Sequence, residues 1–137
     1  MDKVSIIKIP VSYVKPSPNK LIAYDFLNIE KHINFEVMDK RIVRINPTGF
    51  GGNHYHERLE TWIAIGGELE LVWKDGETIK TIIMNPKGSE EMHLITVNRN
   101  VPHMVRNKSD IEGFLFEYAD QTETNAKSFD LINYPNK

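Results

Sequence analysis

The sequence predicts an all-β domain, a closed barrel or two-sheet sandwich, and three observations carry that prediction. Short runs rich in β-branched and aromatic residues recur along the chain, punctuated by Gly, Pro, Asn and Asp. Period-two alternation is plain in Glu68-Leu69-Glu70-Leu71, whereas the 3.6-residue period of an amphipathic helix is weak throughout. Roughly eight or more such runs within about 120 residues is the density of a sandwich or barrel. Closing the barrel also removes the exposed strand edges that invite aggregation.

The elements follow in chain order. Residues 4–9 read as a first strand, stopped by Pro10. Residues 11–25 contain Pro16 and Pro18 and read as an extended arm. Residues 33–38 and 41–46 flank Asp39-Lys40, which suggests a hairpin, and residues 47–52 form a glycine-rich loop. The clearest hairpin joins residues 68–73 to residues 78–84 through Lys74-Asp75-Gly76-Glu77, where Asp-Gly supplies the positive φ of a tight turn. Residues 94–97, 104–106 and 113–118 are further strands, and Phe114, Phe116 and Tyr118 alternate as one buried face of the last. Residues 126–132 leave room for at most a short C-terminal helix.

With 137 residues the chain is expected to form a single domain: an N-terminal strand and arm over residues 1–30 and a barrel core over residues 41–118. Hydrophobic residues make up 40% and charged residues 26%, which argues against disorder. A formal charge of -2 gives no broad attraction to nucleic acid or to an anionic membrane surface. No apolar run approaches the roughly 20 residues that span a bilayer. The N-terminus has no signal-peptide apolar region, so a cytoplasmic location is expected. Cysteine is absent, which excludes disulfides, thiolate metal sites and thiol nucleophiles.

Chemistry concentrates in two windows, Gly52-Asn53-His54-Tyr55-His56-Glu57-Arg58-Leu59-Glu60 and Pro102-His103-Met104-Val105-Arg106-Asn107. Residues two apart on a strand share a face, so His54 and His56 can present both imidazoles to one point. If the backbone turns after His56 and re-enters the sheet, Glu60 faces the same interior, and His103 arrives from another strand. Three imidazoles and one carboxylate suit a divalent transition metal: Mn, Fe, Co, Ni, Cu or Zn. Mg or Ca prefers mostly oxygen ligands.

These windows resemble the two motifs of the cupin superfamily. His54, His56, Glu60 and Gly67 match the first motif at its spacing, and His103 and Asn107 match the end of the second. The resemblance covers roughly residues 41–118. It implies a cupin-type β-barrel (a double-stranded β-helix or jelly roll) in which His54, His56, Glu60 and His103 bind the metal, and it implies a homodimer. Departures lie in the loops: glycines of the motifs fall at Thr48, Met92 and Asn100, and a proline at Asn98. Asn tolerates left-handed φ better than most residues, so Asn100 can replace a turn glycine. The words Gly52-Asn53-His54-Tyr55-His56 also look like cupin domains that accompany bacterial polysaccharide and nucleotide-sugar enzymes.

Other residues admit plainer roles. His93 and His32 read as structural or solvated histidines. Trp62 shares strand parity with Glu60 and reads as core packing or as a wall of the substrate pocket. Arg41 and Arg44 differ by three positions and cannot both face inward. Tyr118 offers a hydroxyl to the pocket as an acid or base. The expected function is isomerisation or epimerisation of a small sugar or sugar-nucleotide-like carbonyl compound, the metal polarising the carbonyl. An Fe- or Cu-dependent dioxygenase is the alternative, and a non-catalytic ligand-binding module is the third. Homodimerisation would use the strand over residues 4–9 and the arm after it.

Overall fold

The computed structural model describes residues 2–11, 13–15, 21–122, 126–129 and 131. Its strands are β1 (Val4–Pro10), β2 (Tyr13–Lys15), β3 (Leu21–Ala23), β4 (Asp39–Ile45), β5 (Phe50–Tyr55), β6 (Glu60–Ile65) and β7 (Leu69–Asp75). They continue as β8 (Thr78–Ile83), β9 (Glu91–Val97), β10 (His103–Asn107), β11 (Gly113–Ala119) and β12 (Lys127–Ser128). One short helix among the described residues, α1 (Phe26–Glu30), interrupts the series. The all-β expectation is met.

The strands form two antiparallel five-stranded sheets, in the orders β1-β9-β6-β11-β4 and β12-β5-β10-β7-β8, and β2 with β3 makes a small third. Sequential strands such as β5 and β6 lie in opposite sheets, so the chain crosses the hollow between them and carries its motif residues into it. Apolar side chains from both inner faces fill one end of that hollow, among them Leu71, Ile95, Val97, Val105 and Leu115. The hairpin β7–β8 is as expected, with Asp75 opposite Thr78 and Gly76 at φ 63°.

A second apolar layer covers the outer face of the first sheet, where Ile29 of α1 packs with Ile9, Ile63, Leu94 and Tyr118. Asp25 caps α1 by accepting a bond from the Leu27 amide at 2.9 Å. Among the described residues no helix is long and apolar enough to cross a membrane.

Four expectations need correction. Asp39 and Lys40 make no hairpin turn; they begin β4, which pairs along its length with β11. Asp39 is instead bound by Arg41 and Arg58. A helix not foreseen is α1, within five residues that are too few to show a period; of the segment expected to hold one, Lys127 and Ser128 pair with β5, and residues 130 and 132 lie outside the described ones. The arm is partly paired as β2–β3, although residues 12 and 16–20 lie outside the described ones. Finally, the face of β11 that enters the hollow is Leu115 and Glu117; Phe116 and Tyr118 point to the outer layer.

Candidate functional site

The open end of the hollow is a cavity of about 160 Å³, lined by His54, His56, Glu60, Trp62, His103 and Glu117 among others. Two adjoining strands of the second sheet, and the residue that follows one of them, supply the imidazoles. His103 opens β10 and lies opposite His54 of β5, but its neighbour Met104 lies opposite Gly52. Asn53 is therefore an extra residue on β5, a bulge with φ 68° that re-aims His54. Gly52, at φ 92°, brings the strands together: a Cβ there would stand 3.0 Å from the His103 carbonyl oxygen. His56 follows β5, and its carbonyl accepts the Asn100 amide at 2.8 Å. Asn100 has φ 61° and Thr48 φ 59°, so two positions where the motifs carry glycine keep the glycine conformation.

The three rings converge. Their centroids are 4.8 Å apart for His54 and His56, 5.0 Å for His54 and His103, and 5.2 Å for His56 and His103. One ring nitrogen from each lies within 4.8 Å of the others, a set able to hold a metal ion. The Val101 carbonyl lies 2.8 Å from His103 Nδ1 and can only accept, so Nδ1 carries a proton and Nε2 is the nitrogen turned toward Glu60. Glu60 Oε1 stands 3.4 Å from Nε2 of both His56 and His103. Donors about 2.1 Å from an ion stand roughly 3.0–3.4 Å apart. Glu60 Oε1 and His56 Nδ1 are buried without a hydrogen-bond partner. An orphaned carboxylate oxygen between two imidazoles fits a divalent cation, as does the mixed nitrogen and oxygen donor set.

The electrostatics favour the states such an ion needs. Burial, with the nearby His103 and His56 second, lowers His54 to about 4, so this half-buried imidazole is neutral at neutral pH. Glu60 lies well below the carboxylate range: burial pushes it up, but the imidazoles of His103 and His56 and the Glu117 carboxyl hold it down. Glu117 moves oppositely, pushed up to about 7 by burial and by its neighbour Glu60, against the Trp62 and Arg58 donors. The two carboxyls therefore behave as a pair that retains one proton.

Trp62 is buried on the cavity wall, its ring 5.5 Å from that of His103, and its Nε1 donates to Glu117 Oε2 at 3.2 Å. Tyr118 is a correction. Its parity on β11 turns it away from the cavity, and its hydroxyl donates to Glu30 Oε2 at 3.2 Å on the outer face. Arg41 reaches the cavity and faces Glu117 at 3.7 Å, while Arg44 is exposed near Glu112. His93 meets Ser89 Oγ at 3.3 Å and His32 meets the Asn28 carbonyl at 3.0 Å, both outside the cavity. Sequence reasoning passed over Arg58 and Glu117. The available signal was the face of β11, where Glu117 interrupts the otherwise apolar series of Gly113, Leu115 and Ala119.

No protein-family model and no curated protein matches the sequence. Solved structures do resemble the fold. A 3,4-ketoisomerase from Helicobacter canadensis superposes with a TM-score of 0.64 at 25% identity, over 89% of this chain and 86% of that one. A variant of the 3,4-ketoisomerase QdtA from Thermoanaerobacterium thermosaccharolyticum, in complex with TDP-4-keto-6-deoxyglucose, gives 0.64 at 13% identity over 91% and 85%. The capsular polysaccharide assembling protein CapF from Staphylococcus aureus gives 0.61 at 11% identity; it matches 70% of this chain, which spans only 29% of CapF. The barrel is thus of the cupin type expected from the sequence.

Proposed function

We propose that this protein isomerises or epimerises a keto sugar carried on a nucleotide, at the cavity walled by His54, His56, His103, Glu60 and Glu117. The observation that carries the reading is the convergence of three imidazoles and a proton-sharing carboxyl pair in one small hollow. Moving a carbonyl along a sugar requires removing a C–H proton beside it and returning a proton to the neighbouring carbon. The similarity to sugar 3,4-ketoisomerases supports the same reaction class.

His54, His56 and His103, with Glu60 as the fourth donor, would hold a divalent transition metal. Such an ion supplies Lewis-acid polarisation of a carbonyl. Glu117, which holds its proton up to about pH 7 in the same cavity, is the group placed to give and take one. Trp62 supplies an apolar wall to the ring of the sugar. The cavity of about 160 Å³ has room for about five waters, below the roughly 300–1,000 Å³ of sites that enclose drug-sized ligands. It admits one sugar-sized group and leaves the nucleotide outside.

A second reading dispenses with the ion. His54 is the half-exposed imidazole of the three and is neutral above about pH 4, so it can itself accept the substrate proton. One experiment separates the readings. TDP-4-keto-6-deoxyglucose is incubated anaerobically with chelator-treated and metal-loaded protein, and the product sugar is followed by proton NMR. A new keto sugar only after loading supports the ion; equal turnover supports His54 alone. No conversion in either, with oxygen uptake on Fe(II) and a diketone, overturns the isomerase in favour of a dioxygenase.

A further inference from the structure

One guanidinium lies beneath the imidazole cluster. Arg58, between β5 and β6, is 3% exposed. Its Nε and Nη2 both donate to Oε2 of Glu60, at 3.0 and 2.9 Å. Nη2 also meets Oε2 of Glu117 at 3.2 Å, and Nη1 donates to Oδ2 of Asp39 at 2.7 Å and to the Gln121 carbonyl at 3.4 Å. The fork thereby ties together side chains of β6, β11 and β4, three neighbouring strands of the first sheet.

The consequence is directional. Both donors meet the same oxygen of Glu60, so Oε2 cannot turn toward the rings without breaking two charge-assisted bonds. The other oxygen, Oε1, is left 3.4 Å from Nε2 of both His56 and His103. We propose that Arg58 is the positioning residue of this site: it grips Glu60 by one oxygen so that the other alone is presented to His56 and His103. This deepens the reading of the imidazole cluster as the functional centre and rests on it. A Glu60 released from the fork could offer both oxygens, to the rings or to a cation, and take up a position otherwise left to substrate. Lysine carries the same charge on a single point and cannot reproduce the two-pronged hold.

The test compares wild type and Arg58→Lys in the full chain, with Co(II) as the probe. Cobalt affinity and the visible absorption band report the coordination, and long-range proton–nitrogen spectra of the metal-free protein report the imidazoles. Expected for Arg58→Lys are at least a tenfold weaker cobalt affinity, a changed band, and displaced Nε2 resonances of His56 and His103. Those of His32 and His93 stay in place. Wild-type affinity, band and resonances in the lysine variant would overturn the proposal, because charge alone would then suffice. Failure of the ion reading looks different: wild type takes up no cobalt, and the imidazole spectra alone decide, moved resonances supporting the proposal and unmoved ones overturning it. If the lysine variant does not fold, Asp39→Asn loosens the far side of the same fork. It should displace the same two resonances by less, and unmoved resonances would overturn the proposal there too.

Discussion

Replacing Glu117 by Gln should change how stability depends on pH more than it changes stability itself. Glu117 holds its proton up to about 7 in the folded protein, against an ordinary value of 4.5. Between those two pH values the native state binds a proton that the unfolded chain has released, so stability falls as pH rises through the window. The gap corresponds to about 3 kcal/mol when fully developed. His54 works the other way: at about 4 in the fold against 6.5, it makes stability rise between those values, weakened by its partial exposure to solvent. The two slopes oppose each other, and the wild-type profile should be shallow from about pH 4.5 to 6.5. Gln keeps the shape of the neutral acid but cannot ionise, and the rise due to His54 remains, joined near pH 4.5 by that of Glu60. The assay is urea unfolding of both metal-free proteins at intervals from pH 4.5 to 8. The stability of the variant relative to wild type should increase by about 3 kcal/mol across that range. A difference that stays constant with pH would refute the paired-carboxyl account of the cavity.

Other outcomes follow from the same geometry. His56→Ala should abolish binding of Co(II) or Zn(II) by equilibrium dialysis while leaving the circular dichroism of the fold unchanged. A chelator should lower the melting temperature of metal-loaded wild type and leave that variant unmoved. Asn107→Ala should cost about 2–3 kcal/mol in urea unfolding, because its buried amide donates to the Ile45 and Ile111 carbonyls and its oxygen accepts from Ser109. Asn100→Gly should be tolerated and Asn100→Val should destabilise by about 1–2 kcal/mol, since a β-branched residue resists the φ of 61° there. Light scattering should give twice the chain mass if the exposed edge of β1, with Ile6 and Ile7, serves the expected homodimer; a monomer would refute it.

Much of this site is legible in the sequence because its parts are local. His54 and His56 need only strand parity to share a target, and Asn100 betrays its turn by being one of the few residues that accept left-handed φ. The Asp75-Gly76 turn is equally self-contained. What escaped depends on contacts across the sheet. Asp39-Lys40 has turn composition, yet its carboxylate is held by an arginine 19 positions away in sequence, which makes it part of a strand. Tyr118 and Glu117 are neighbours with opposite fates, and only the pairing of β11 with β4 and β6 tells which one enters the hollow. Helix α1 is a single capped turn held by Ile29 against the outer layer, too brief to leave a period. Arg58 resembles a surface arginine in a polar turn until three acids from three strands close around it.

The most direct test of the account is deuterium exchange during turnover of the nucleotide-linked keto sugar in heavy water, read by proton NMR. An enzyme that moves the carbonyl by shuttling a proton within this cavity should place solvent deuterium on the carbon next to it, and His54→Ala, His56→Ala and Glu117→Gln should each suppress that incorporation. Undiminished incorporation by all three variants, or conversion of the sugar with oxygen uptake and no deuterium, would contradict it.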